Sequence, residues 1–426
     1  MHTRITPPEA AAMLALALQG GHVGPEDTAL VIHDLDRLDA RAREAVAAFP
    51  PGTLHAVAVK ANPLPPLLRR LAGLDPALGA EVASLPELEL ALEAGLPPGR
   101  IVFDSPAKTV AEIRHALALG VHLNADNFQE LERIDAAVAE AGAPRGTVGL
   151  RVNPQVGAGA IAATSVAGAF SKFGLPLDQC RGQIVAAFAA RPWLTGLHCH
   201  VGSQGCTLEQ LVAAARAMVA LAGAVRAAGG RVQAMDIGGG LPATCRDDDP
   251  KPTLADYAAA LRRGCPGLFA GPHRLVTEFG RAIHAGAAFA AARVEYVKEY
   301  GGVRCVVTHL GADMFLRPCY NPADWHHDVA AATPDGVLKP GPATAQAIAG
   351  PLCFQGDFPS RRAAAAALEP GDWALLLDAG AYTMAMWSRY NSRPMPAVLG
   401  LSRGRLEVLR PRESVADVLR FWRGQG

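Results

Sequence analysis

A chain of 426 residues, half of them hydrophobic and 19% charged, has the composition of a globular protein able to bury large cores, which excludes a disordered one. Lys plus Arg number 40 and Asp plus Glu number 40, so no net field attracts nucleic acid or an anionic membrane, and a charged ligand must be caught locally. The length fits two domains once a large barrel is allowed as one of them.

In chain order, Met1-His2-Thr3-Arg4 runs into Pro7-Pro8 with no basic region feeding a cleavable apolar core. The Ala-rich stretches carry Arg, Glu or Gln at helical intervals, so no apolar run is expected to reach the roughly 18 to 20 residues of a bilayer span. These features predict a soluble, cytoplasmic protein with neither membrane nor nucleic-acid partners. Eight scattered cysteines form no disulfide framework and are expected to be reduced, and His198-Cys199-His200 lacks paired metal-ligand spacing, so no metal site is predicted.

Eight β-type runs alternate with segments of helical period: Ala56 to Lys60, Leu78 to Val82, Ile101 to Asp104, Val121 to Asn124, Val148 to Val152, Leu194 to Val201, Ala234 to Ile237 and Leu275 to Phe279. Crossover helices fit between them, as at Pro86 to Ala94 and Leu208 to Ala228. A count of eight predicts an α/β fold built as a closed (β/α)8 TIM barrel. After about residue 285, helices thin out and short β-runs appear at Arg304 to His309, Trp373 to Leu377, Ala397 to Leu401 and Arg405 to Leu409, which predicts a C-terminal β-sandwich or β-barrel domain.

Reactive groups of such barrels sit where strands end. The run ends hold Lys60, Glu81, His200, the loop Gly238-Gly239-Gly240, and Glu278 followed by Gly280-Arg281. A desolvated lysine at a strand end can form a Schiff base with an aldehyde. A triple glycine lets backbone N–H groups approach a phosphate, and a carboxylate opposite a pyridine nitrogen keeps that nitrogen protonated. His198 and His200, two apart, face the same way on a strand and could stack on a flat ring. Each residue taken singly also fits a plainer role: a surface lysine, a tight turn, a salt-bridge carboxylate, a core histidine.

The order of the segments is more specific. Ala58-Val59-Lys60-Ala61-Asn62, His198-Cys199-His200-Val201-Gly202-Ser203-Gln204, Asp236-Ile237-Gly238-Gly239-Gly240, Glu278-Phe279-Gly280-Arg281, Gly350-Pro351-Leu352-Cys353, Gly380-Ala381-Tyr382 and Tyr390-Asn391-Ser392-Arg393-Pro394 resemble the motif series of the diaminopimelate decarboxylases, the bacterial branch of the fold-type III, ornithine-decarboxylase-like enzymes. The resemblance implies residues 1–30 packing on the β-domain, a barrel over 31–285 binding pyridoxal 5'-phosphate, and a β-domain over 286–426. It implies that Lys60 binds the cofactor covalently and His200 stacks on its ring. Gly238, Gly239, Gly240, Ser203, Gly280, Arg281 and Tyr382 hold the phosphate, Glu278 meets the pyridine nitrogen, and Glu81 joins the cofactor-binding set. Cys353, reaching in from the second subunit of a homodimer, returns a proton once carbon dioxide has left. Arg281, Arg317, Tyr320 and Tyr382 line the substrate's far end.

This chain departs from the family pattern at Phe279, which stands where a proline is usual, and the spacing at Arg317-Pro318-Cys319-Tyr320 is one residue shorter. The largest departure is Phe354, a substrate-facing position that carries an acid for the distal amine in the family. The expectation is therefore amino-acid decarboxylation of a citryl-linked or other distally acidic substrate, as in siderophore assembly. Decarboxylation of meso-diaminopimelate is the alternative; racemisation, or a catalytically silent cofactor-binding protein, are those from other classes.

Overall fold

The computed structural model describes residues 3–424, and these divide into two units, one comprising the described residues of Met1–Arg41, Thr244–Pro250 and Ile283–Gly426, the other Ala42–Ala243 and Lys251–Ala282. The strands are β1 Ala29–Asp34, β2 Leu54–Ala58, β3 Leu78–Val82, β4 Ile101–Asp104, β5 His122–Ala125, β6 Val148–Asn153, β7 Leu175–Pro176, β8 Leu194–His198, β9 Ala234–Asp236 and β10 Arg274–Thr277, followed by β11 Ala288–Tyr300. The rest are β12 Val303–Thr308, β13 Val329–Ala332, β14 Thr344–Ala349, β15 Ser360–Ala365, β16 Trp373–Leu376, β17 Ala397–Ser402 and β18 Arg405–Arg410.

Eight parallel strands close on themselves in the order β2-β3-β4-β5-β6-β8-β9-β10 and back to β2, with the two-residue β7 appended to β6. Both faces of these strands are covered, so they read as continuous apolar runs without alternation. Five of the crossover helices begin on a side chain able to accept the first orphan N–H groups. Ser84 caps Leu85–Glu93, Asn127 caps Phe128–Ala141, and Thr109, Thr207 and Thr253 form reciprocal capping boxes with Glu112, Gln210 and Asp256.

Two rim strands stop earlier than the apolar runs suggest. β2 ends at Ala58 and Lys60 lies in a 3-10 turn over Val59–Ala61, while β8 ends at His198, leaving His200 beyond it. Past the rim the backbone finds other partners: Asn62 N–H donates to Val59 O at 2.9 Å, and Glu278 N–H donates to Gly238 O at 2.8 Å. One helix among the described residues, Leu208–Ala227, is long and apolar enough to cross a membrane, contrary to the expectation that no run reaches that length. Its residues Leu211, Ala215, Met218, Leu221 and Val225 are buried within the barrel unit.

In the other unit β1 pairs antiparallel with β11 and parallel with β17. Residue 31, where the barrel was expected to begin, therefore lies in the second sheet, and the barrel unit starts at Ala42. The long β11 serves two sheet regions. Its first half pairs with β1 and β16, and after a register shift at Val294/Tyr296 its second half pairs with β12, which continues to β14 and β15. The helix Pro7–Gln19 inserts Ala10, Met13, Leu14 and Ala17 into a core shared with Ile32, Phe289, Leu375 and Leu399. Truncating the fully buried Leu14 to Ala there costs about 2 to 5 kcal/mol.

Candidate active site

The C-terminal ends of the barrel strands gather a buried set of charges. Lys60 Nζ donates to the carboxylate of Glu81, which lies fully buried on β3. Burial raises the Glu81 carboxyl to about 7 against the pull of Lys60, with Glu278 and Asp104 adding to the rise. A proton acceptor poised near neutrality therefore touches the amine.

His198, at the end of β8, is fully buried between two carboxylates: Nδ1 lies 3.5 Å from Asp104 Oδ1 and Nε2 lies 3.6 Å from Glu278 Oε2. Burial alone would lower its pKa, but Asp104, Glu278 and Asp236 together raise it to about 9. The imidazolium in turn holds Glu278 well below the usual carboxylate range despite that residue's burial. Asp104 is lowered as well, since Arg151, donating to it at 2.7 Å, outweighs desolvation. Burial, reinforced by Glu278, keeps Asp236 well above its ordinary value.

His200 differs from His198. Burial pushes it down to about 3, and its Nδ1 accepts the Gly239 N–H at 3.2 Å, so it presents a neutral ring beside Glu278. Beside it the glycine loop leaves no room for side chains. A Cβ on Gly239 would come within 2.3 Å of Glu278 O, and on Gly240 within 2.8 Å of Gly202 O; Gly238 and Gly240 also have φ of +66° and +91°. Arg281 Nε donates to Ser203 Oγ at 3.3 Å, joining two further predicted residues, and Gly280 precedes Arg281 after β10.

The remaining predicted residues belong to the other unit. Cys353 is exposed on the loop 350–357. The Phe354 ring stacks on Tyr320, centroids 4.8 Å apart and planes 18° apart. The Arg317 guanidinium lies 4.5 Å from the Trp325 ring and 4.6 Å from that of Tyr382.

Asp104, Arg151 and Asp236 are site members to which sequence reasoning gave no role, and His198 entered it only as a ring able to stack, not as a charged partner of Glu278. Asp104 ends its β-run, so the same strand-end rule that found Lys60 reaches it, and Asp236 ends the observed β9 one residue before its predicted run did, whereas Arg151 sits inside the apolar run of β6 and gives no such signal. By distance Asp104, His198 and Glu278 could also hold a metal ion. With the imidazole protonated between Asp104 and Glu278, the trio is an ion-paired cluster.

His198 gives a test with a defined sign. Its folded pKa, about 9, lies above the ordinary histidine value of 6.5, so its stabilisation is complete below pH 6.5 and is lost as pH rises through 9. The difference in Tm between the protein and His198→Gln should therefore be largest near pH 6 and narrow by pH 10. A difference independent of pH would place the stabilisation in packing rather than charge.

Three comparisons bear on this arrangement. The family model described as "Pyridoxal-dependent decarboxylase, pyridoxal binding domain" matches residues 35–285. The chain is 34% identical over 373 residues to the diaminopimelate decarboxylase of Zymomonas mobilis, covering 86% of this chain and 85% of that protein, and 29% identical over 389 residues to that of Aquifex aeolicus, covering 91% and 90%. A crystal structure of diaminopimelate decarboxylase from Helicobacter pylori complexed with L-lysine is similar with a TM-score of 0.83 at 29% identity, covering 94% of this chain and 98% of that one.

Proposed function

The chain belongs to the pyridoxal-dependent decarboxylase family, and from that premise we propose that it removes the α-carboxylate of an amino acid whose far end is also acidic, meso-diaminopimelate being the first substrate to try. It is a carboxy-lyase that uses pyridoxal 5'-phosphate. The residues present fit that group. Glu278 is buried and ionised with no hydrogen-bond partner for Oε1, which suits a pyridinium N–H, and the glycines at 238–240 leave backbone clear for a phosphate.

When bound, the cofactor supplies the electron sink for the bond pair released as carbon dioxide leaves. The chain's residues do the rest. Glu81, near neutrality in pKa, takes the proton that makes Lys60 a neutral amine. The neutral ring of His200 covers the flat face of the ligand, and Ser203, Arg281 and the glycine loop grip its anionic end. Glu278, kept charged by His198, favours the strong electron sink that decarboxylation needs over the weaker one that suits racemisation, and this single observation carries the reaction class. Cys353 returns the proton at the close, and Arg317 and Tyr382 are the residues assigned to the substrate.

The names of the relatives favour diaminopimelate. A second reading rests on Phe354, which with Tyr320 forms an aromatic stack at the position that carries an acid in the resembled family. It favours a substrate with no distal ammonium, such as citryl-diaminopropionate or citryl-serine. Carbon-dioxide release from meso-diaminopimelate, lysine, ornithine and a citryl-linked amino acid separates the two.

The active form is a homodimer that completes each site with Cys353 from the second subunit. Mixing inactive Lys60→Ala with inactive Cys353→Ala under subunit exchange should then recover about a quarter of normal activity, because half the dimers carry one intact site. No recovery despite demonstrated exchange would put both groups in one chain.

A further inference from the structure

We propose that the turn formed by Arg389, Tyr390, Asn391 and Ser392 is a positioning device for Cys353, gripping both backbone groups of that residue so that its thiol is presented in one direction. The inference rests on the reading of Cys353 as the group that returns the proton.

An exposed loop residue ordinarily leaves its N–H and C=O to water. Cys353 does not. Its N–H donates to Asn391 Oδ1 at 2.8 Å, and its carbonyl accepts from the Tyr390 hydroxyl at 2.9 Å. Two adjacent side chains, 38 and 37 residues away in sequence, thus hold one residue's backbone on both sides while leaving its side chain exposed. The base of the loop is fixed from the opposite side. The buried Asp357 carboxylate accepts the N–H of Leu352 at 2.7 Å and of Ala312 at 2.5 Å, and Phe354 N–H donates to Leu352 O at 2.7 Å.

The gripping turn is itself held in an unfavourable shape. Asn391 and Ser392 have φ of +56° and +54°, and two consecutive non-glycine residues in the left-handed region persist only where the surroundings over-determine them. Those surroundings are visible. Arg389 makes a two-pronged ion pair with Glu413, at 2.5 and 2.7 Å, and stacks 4.7 Å from the ring of Phe421. Glu413 also accepts from Met395 N–H and Arg410, each at 2.9 Å, and Ser388 N–H donates to Asp313 O at 2.8 Å. Closing a turn requires none of the contacts to Cys353. Proton return does require a fixed direction, because the donor must lie within hydrogen-bond reach of one face of one carbon.

The test uses the full-length holoenzyme carrying Tyr390→Phe, Asn391→Gly, both together, or Asn391→Asp. Glycine accepts the positive φ, so the backbone shape survives while the acceptor is lost; aspartate keeps the acceptor. In the double variant the Cys353 amide should exchange with deuterium roughly tenfold faster. Its kcat should fall about 10- to 100-fold with KM within about twofold and cofactor content intact. Asn391→Asp should restore both exchange and kcat. Unchanged Cys353 exchange in the double variant overturns the device, as does a rise in KM at constant kcat. Cys353→Ala, run in parallel, tests the proton-return reading separately: full activity there removes that reading, whereas the amide exchange still reports on the grip.

Discussion

Lys60→Ala should abolish covalent cofactor retention and lower kcat/KM by at least about a thousandfold, the largest loss expected of any single substitution in this chain. Borohydride reduction of the purified protein should leave the cofactor on one peptide, the one containing Lys60, and on none in the variant. The magnitude follows from the environment of the amine. Lys60 sits in the short turn above β2, its Nζ donating to a Glu81 carboxyl raised to about 7, so proton withdrawal is built into the site near neutral pH. Activity dependent on that carboxylate rises as pH passes through about 7, so Glu81→Gln should flatten the acidic limb of the pH profile as well as slow the reaction. An adduct mapping to another lysine, or a Lys60→Ala protein that keeps its yellow colour after dialysis, would refute the assignment.

Phe354→Glu should raise diaminopimelate turnover. An ammonium against an aromatic face gains about 0.5 to 2 kcal/mol. Removing one partner of a buried ion pair costs about 3 to 5 kcal/mol. At about 1.4 kcal/mol per factor of ten, the deficit is roughly one to three decades in kcat/KM, which the restored acid should recover. The substitution also breaks the stack with Tyr320, so some thermal stability goes with it. A citryl-linked substrate should respond oppositely, losing ground beside a new carboxylate. Efficient use of meso-diaminopimelate by the unaltered chain, with no gain from the acid, would remove the significance given to Phe354 and leave the substrate named by the relatives.

The barrel was legible in the sequence because each strand is buried on both faces and each helix on one. The first demand produces short continuous apolar runs, the second a helical period between them, and eight repeats leave few topologies. Lys60, Glu81, His200, the triple glycine and Glu278 were legible for a related reason: a polar or flexible residue at the end of an apolar run marks the rim. The ordered motif series added the cofactor, and the roles proposed for Cys353 and Tyr382 rest on that series alone.

Other features depend on which distant residues meet. Residues 29–34 look like any apolar run, and only pairing with β11 and β17 assigns them to the second sheet. His198 and His200 are the same residue type two positions apart, yet one is driven to about 9 between Asp104 and Glu278 and the other down to about 3, because the field at a buried imidazole comes from carboxylates on other strands. Arg151 is invisible within its run until Asp104 is found beside it. Tyr390 and Asn391 become positioning residues only because the chain brings them to Cys353. Local pattern thus determined the elements and the types of reactive group, since both follow from burial of neighbouring residues. Protonation states and the aim of side chains were decided by the tertiary structure, because Coulomb interactions and hydrogen bonds act through space between residues far apart in the chain.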